Sequence, residues 1–201
     1  MKKDILRLGT SLALYAVAAC VALALVYSIT APTIAGLAQQ QLEASLTDLF
    51  PDAESFEAVK DALPSVDTAV AFEGAWTAKR GANILGVAIK ANGKSYGGAA
   101  VMLVGISTDK RISGARILTL SDTPGLGANA LSPTYFVDKS SKTTFPGQFS
   151  GKPVSDPFEV KNDVTAITAS TITSKALTLM VKRSGEAGSA WLEANAAGGV
   201  K

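Results

Sequence analysis

Between Leu8 and Leu42 the chain carries no charged residue, and no other feature restricts its folding so strongly. The apolar heart, Leu12 to Ile29, reads LALYAVAACVALALVYSI. Roughly 20 such residues cross a bilayer as a helix, because a helix satisfies its backbone N–H and C=O groups internally. Lys2, Lys3 and Arg7 precede the run against a single Asp4. The positive-inside rule then predicts a cytoplasmic N-terminus, with everything after residue 30 on the outer face and Tyr15 and Tyr27 near the interfaces. Two other fates compete: a cleaved signal peptide, with cleavage after Ala35, and a lipoprotein signal at Val17-Ala18-Ala19-Cys20. The run is longer than a usual signal core, Pro32 disfavours cleavage after Ala31, and a further apolar run (Val21–Val26) follows Cys20. A retained single span is expected.

Beyond the span, Ile34 to Phe50 has apolar residues at 34, 37, 38, 42, 46, 49 and 50, the spacing of one helix face. Pro51 ends it. We expect residues 32–66 to form a helical stalk, with 52–66 as loop or short helix, and a domain over 67–201. In that domain Phe72–Lys79, Ile84–Ala91, Ala99–Ile106 and Ile112–Leu120 are short β-rich segments. They are punctuated by Arg80-Gly81, Asn92-Gly93 and Thr108-Asp109-Lys110, of which Asn92-Gly93 is the strongest hairpin signal. Residues 121–162, rich in Gly, Pro and Ser, predict a long structured loop, and loops of that length in compact domains are usually functional or disordered. A helix is expected over Ile172–Arg183, stopped by Gly185, and a last short one over 187–197. The fold class is α+β: a single N-terminal transmembrane helix, then a small antiparallel sheet with helices.

Absences narrow the chemistry. The chain has no histidine and one cysteine, Cys20, inside the apolar run. A zinc site takes about four Cys, His or carboxylate ligands, a haem usually a His, and an iron–sulfur cluster about four Cys. No metal site is therefore expected, and a His-dependent catalytic triad is excluded. The net charge is +2, from 19 basic and 17 acidic residues, and no basic run exceeds two. That is no footprint for nucleic acid. Redox work by this chain requires an organic cofactor.

Two segments carry possible chemistry. Ser121-Asp122-Thr123-Pro124-Gly125-Leu126-Gly127 directly follows a strand. Pro124 presets φ and Gly125 permits a positive one, so a type II turn is natural, while Gly127 lets backbone approach something closely. A plain surface turn accounts for the same residues. Thr165-Ala166-Ile167-Thr168-Ala169-Ser170-Thr171-Ile172-Thr173-Ser174-Lys175 crowds hydroxyls ahead of a helix. First-turn amides hold phosphate well, and an ordinary N-cap also prefers Ser and Thr. One helix end can do both.

These two segments, with Thr30-Ala31-Pro32-Thr33-Ile34, Tyr96-Gly97-Gly98, Gly105-Ile106 and Arg111-Ile112-Ser113-Gly114, resemble the G subunit of the Rnf electron-transport complex. The C subunit of the sodium-translocating NADH:quinone reductase is the related family, and it usually runs longer. The resemblance covers nearly the whole chain. Its most specific parts are Thr123–Gly127 and Thr171-Ile172-Thr173-Ser174. The family's flavinylation motif commonly reads Asp-Ala-Ile-Ser-Gly-Ala-Thr. Thr165 here stands for the Asp, Thr168 for Ser, Ala169 for Gly and Ser170 for Ala, and Asp122 stands where Glu is usual.

The resemblance implies a redox subunit of an ion-translocating oxidoreductase complex, with no independent catalysis. It would carry FMN as a phosphoester on Thr171, placed there by a separate flavin transferase, and pass electrons in a route between ferredoxin and NAD. The other members of the complex would be its partners, and it would sit as a single-pass protein in the bacterial inner membrane with its C-terminal domain outside. The implied cofactor-binding set is Thr171 with Thr123, Gly125, Leu126, Gly127, Thr168, Ala169, Ser170, Ile172, Thr173 and Lys175. Leu126 would form an apolar wall and Lys175 would add positive charge. The alternatives are the quinone-reductase subunit, a stand-alone FMN-domain carrier outside the cytoplasm, and an anchored scaffold without flavin.

Overall fold

The computed structural model describes residues 2–60, 63 and 68–196. It divides into two compact units, Met1–Glu43 and Ala44–Lys201. Helix α1 runs over Lys2–Leu49. Its charge-free stretch exposes its large apolar side chains, among them Leu12, Leu14, Val17, Val21, Leu23, Leu25, Val26 and Ile29. By length and composition α1 is a candidate membrane span. Pro32 lies inside the helix. Just before it, Thr30 Oγ1 donates to the Val26 carbonyl at 2.9 Å, a side-chain bond that competes with the regular ladder.

In the second unit five strands form one antiparallel sheet in sequence order: β1 (Ser55–Ala58), β2 (Val70–Arg80), β3 (Asn83–Lys94), β4 (Ala99–Ser107) and β5 (Ile112–Leu120). Helix α2 (Thr171–Ala196) crosses one face. That face presents Val87, Ile89 and Ala91 of β3 opposite Ile106, Val104 and Met102 of β4, all fully buried with Leu177, Met180 and Val181 of α2. The other face is flattened by glycine. A Cβ on Gly86 would lie 2.5 Å from the Phe50 ring, one on Gly105 3.1 Å from it, and one on Gly114 2.9 Å from Leu49. The last turn of α1 and the residue after it thus bury Leu46, Leu49 and Phe50 in a seat that side chains would fill.

Several expectations need correction. Helix α1 ends at Leu49, but Ser55–Ala58, expected as loop or short helix, pairs in Ser55↔Lys79 to Ala58↔Trp76 register as the edge strand. The segment Ser-Phe-Glu-Ala is at the shortest length over which an alternation can be read, and only Phe56 in it is partly buried. Residues 61, 62, 64–67 and 197 lie outside the described residues. Asn92-Gly93 is no hairpin turn but part of β3, paired with Ala71 and Val70 on one side. The reversal comes at Ser95–Gly98, closed by Ser95 N–H donating to Gly98 O at 2.7 Å. Gly93 is small because Met180 packs on it, 3.1 Å from where a Cβ would be. Gly185 does not stop a helix, since α2 is continuous through it. Gly185 packs against Ile112 and Val154, and Gly188 packs against Ile106 and Val87. Close helix–sheet packing outweighs the cost of about 1 kcal/mol for an interior helical glycine.

The region 121–170 is ordered by joining the core of the sheet and α2. It holds short 3-10 turns at Gly127–Leu131 and Pro146–Phe149 and a small hairpin of β6 (Phe136–Asp138) and β7 (Thr143–Thr144). Phe145, Phe149, Phe158, Val164 and Ile167 are buried, and the Phe145 and Phe149 rings meet edge to face at 5.5 Å.

Candidate functional site

At the end of β5 the chain delivers Asp122 into the domain, where it is 8% exposed. Its carboxylate accepts from Ser95 Oγ at 2.7 Å and from the Gly97 amide at 2.7 Å. It also accepts a short bond from Thr173 Oγ1. Burial alone would raise this carboxyl, but the bonds from Thr173, Ser95 and the Gly97 amide outweigh it and hold the group below its ordinary value. One side chain thereby ties the β3–β4 turn, the exit of β5 and the first turn of α2.

The next residues form the anticipated type II turn. Leu126 N–H donates to Thr123 O at 3.1 Å, and Gly125 has φ +77°. Gly127 then passes against the clamp. A Cβ there would lie 2.2 Å from Asp122 Oδ2 and 2.5 Å from Thr173 Oγ1, so its close approach is to protein rather than to a ligand.

The hydroxyl-rich segment makes a second turn. Ser170 N–H donates to Ile167 O at 3.0 Å, with Ala169 in the left-handed region at φ +59°. This position favours glycine. Ser174 Oγ accepts from the Ile167 amide and donates to Ser170 O, both at 2.9 Å. Ser170 O also accepts the first helical bond, from Ser174 N–H at 3.0 Å. Ser170 is therefore the N-cap and Thr171 the first residue of α2, so the amides of Thr171, Ile172 and Thr173 have no partner one turn back in the helix. The Ser170 hydroxyl is buried without a hydrogen-bond partner. In place of a carboxylate at the head of this segment, Thr165 is bridged by Gln148, which accepts from its N–H at 2.8 Å and donates to its carbonyl at 3.1 Å.

These parts enclose a cavity of about 360 Å³, lined by Tyr96, Asp122, Thr123, Leu126, Gly127 and residues 169–173. Among the described residues beyond α1, the exposed large hydrophobics are Tyr96, Leu126, Leu131 and Ile172. Three of these four line the cavity. The fold has concentrated its uncovered apolar surface beside unpaired helical amides, a combination that fits a planar apolar ring carrying a phosphate.

Of the residues expected from sequence, Thr123, Leu126, Gly127, Ala169, Ser170, Thr171, Ile172 and Thr173 line this cavity. Gly125 and Thr168 border a neighbouring one of about 780 Å³, with Tyr135, Lys139 and Lys142. Thr168 donates its amide to the Tyr135 hydroxyl at 3.1 Å. Lys175 belongs to neither. It lines a third depression with Phe158, Glu159 and Lys182, one helical turn, about 6 Å, further along α2 than Thr171. Asp122 and Tyr96 were not anticipated as site residues. Both lie in motifs visible in the sequence, but their roles depend on contacts between distant segments.

Residues 95–185 match the family described as FMN-binding domain, and residues 1–49 match the RnfG N-terminal region. The G subunit of the Na(+)-translocating ferredoxin:NAD(+) oxidoreductase complex of Acetobacterium woodii is 34% identical over 200 residues, covering 90% of each chain. The chain belongs to the RnfG family. The G subunit of the proton-translocating ferredoxin:NAD(+) oxidoreductase complex of Clostridium ljungdahlii is 33% identical over 170 residues, covering 82% of this chain and 80% of that one. The G subunit of the ion-translocating oxidoreductase complex of Methanosarcina acetivorans is 29% identical over 181 residues, covering 87% and 89%. Among solved structures, NqrC of Shewanella oneidensis aligns with a TM-score of 0.48 at 15% identity, covering 72% of this chain and 73% of that one. Membership of a family of ion-translocating complex subunits, together with the apolar α1, indicates membrane association. The FMN-binding match covers the Asp122 clamp, the turn at Thr123–Leu126 and the start of α2.

Proposed function

We propose that this chain is an electron-carrier subunit of an ion-translocating ferredoxin:NAD oxidoreductase complex, with FMN esterified through its phosphate to Thr171. The relatives from Acetobacterium woodii and Clostridium ljungdahlii, both above 30% identity and spanning most of the chain, are named as the G subunit of such a complex. The other members of the complex would be its partners, and a separate flavin transferase would attach the flavin. Bound FMN would supply one- and two-electron transfer, chemistry that the cofactor brings and the domain's side chains do not.

The observation that carries the assignment to Thr171 is the fate of its neighbours. Thr173 is 2% exposed and committed to Asp122. Ser170 is buried, and Thr168 borders the adjoining cavity. Thr171 is half-buried, lines the cavity and begins α2. A phosphate on its oxygen would meet the first-turn amides, whose partial positive charge offsets the phosphoester. Tyr96, Leu126 and Ile172 would give the ring apolar walls, and Gly127 lets the 123–127 turn close on the clamp. Lys175 takes no part.

For orientation, Lys2, Lys3 and Arg7 support a cytoplasmic N-terminus, with the second unit on the periplasmic or extracellular side. The decisive experiment is co-expression of the full chain with a flavin transferase. Thr171→Ala should lose both the fluorescent band on a denaturing gel and the single FMN adduct in the intact mass, while Ser170→Ala keeps them. Loss of the adduct from Ser170→Ala with retention in Thr171→Ala would move the attachment by one residue.

A further inference from the structure

Asp122 is the one carboxylate lining the cavity, and neither lysine nor arginine lines it. Among the described residues its hydrogen-bond partners are neutral: Ser95, the Gly97 amide and Thr173. The basic side chains near this end of the domain border other depressions, Lys139 and Lys142 in one and Lys175 and Lys182 in another. Among the described residues, the cavity wall therefore bears one fixed negative charge, held in place by three donors and paired with no cation.

Resting on the assignment of flavin to this cavity, we infer that Asp122 is a positioning residue with an electrostatic role: its carboxylate lowers the reduction potential of the flavin seated beside it. Two electrons and one proton convert the oxidised isoalloxazine ring to its anionic reduced form, which adds one negative charge to the site. A carboxylate nearby opposes that charge, and the opposition is stronger in a partly desolvated pocket than in water. Two of the three donors, Ser95 and Gly97, come from the β3–β4 turn, so the charge is fixed before the ring arrives. A role confined to fastening the turn to α2 would need only a hydrogen-bonding group of the same shape, which asparagine supplies.

The test uses the full chain, flavinylated by co-expression and held in detergent micelles. Flavin absorbance is titrated with dithionite, the electron donor, in the presence of mediator dyes. Asp122→Asn should shift the equilibrium towards the reduced form by on the order of tenfold, an upward move of about 30 mV for a two-electron couple. Asp122→Glu keeps the charge and should stay near the parent. Ser95→Ala removes a donor that damps the carboxylate's field and should move the potential downward. An unchanged or lowered potential in Asp122→Asn, or an equal rise in Asp122→Glu, overturns the inference. If Asp122→Asn does not fold, Ser95→Ala decides, and no shift or an upward one overturns it. A parent chain without any flavin adduct removes the Thr171 assignment as well, whereas loaded variants with identical potentials remove only the role of Asp122.

Discussion

Replacing Gly127 by alanine isolates the contribution of the Asp122 clamp. Gly127 has no left-handed φ, so alanine costs nothing in backbone conformation there. The whole penalty is steric, with the new Cβ at 2.2 Å from Asp122 Oδ2 and 2.5 Å from Thr173 Oγ1. Both atoms belong to one buried hydrogen bond, and neither is the far end of a flexible chain. Moving Oδ2 aside also strains its bond from Ser95. Hydrogen bonds to charged groups are worth about 1.5–3 kcal/mol each, so partial loss of two predicts destabilisation of roughly 2–4 kcal/mol. At about 2–4 °C per kcal/mol for a domain of this size, the melting temperature of the full chain in micelles should fall by on the order of 10 °C. Gly125→Ala is the control, because it has open space but φ +77°. It should cost about 1–2 kcal/mol from conformation alone. A Gly127→Ala protein as stable as the parent, or less affected than Gly125→Ala, would refute the clamp as a packed, energetically coupled unit.

Ala169→Gly relieves the left-handed backbone at φ +59°. Offset by glycine's greater unfolded-state freedom, it should stabilise the chain by about 0.5–1 kcal/mol in denaturant titration. Lys175→Ala should leave flavin loading unchanged in the gel-fluorescence assay, since this side chain lines a different depression. The carboxyls of Asp122 and Asp163 are both held below their ordinary values. Burial opposes this in each, and it is outweighed for Asp122 by Thr173, Ser95 and the Gly97 amide, and for Asp163 by the Glu159 amide and Lys152. A depressed folded pKa gives stability that is present above the unfolded value of about 3.9 and is lost as pH falls through the folded value. Unfolding free energy should therefore drop on acidification below about pH 4, and Asp122→Asn should flatten that drop.

Local pattern alone determined the elements whose signals are short-range. The charge-free run of α1 needs only its own residues to be apolar, and the strand segments that became β2 to β5 alternate or run apolar over lengths that a single strand can display. The turn at Thr123–Leu126 was legible because proline and glycine restrict φ directly. The hydroxyl-rich start of α2 announced a helix N-terminus for the same kind of reason. Tertiary structure decided the rest, and glycine shows why. Gly93 and Gly185 carry the same local signature as a hairpin turn and a helix stop, yet they lie inside β3 and α2, where Met180 packs closely on the first and Ile112 and Val154 on the second. Edge strand β1 exists only through its pairing with β2. The site follows the same division. Its two motifs stand out in the sequence, but Asp122 became a site residue only when folding brought Ser95, Gly97 and Thr173 around it. Lys175, close to Thr171 in sequence, stands one turn further along α2 and borders a different depression. A buried charge depends on donors that only the closed chain assembles, and sequence spacing does not encode them.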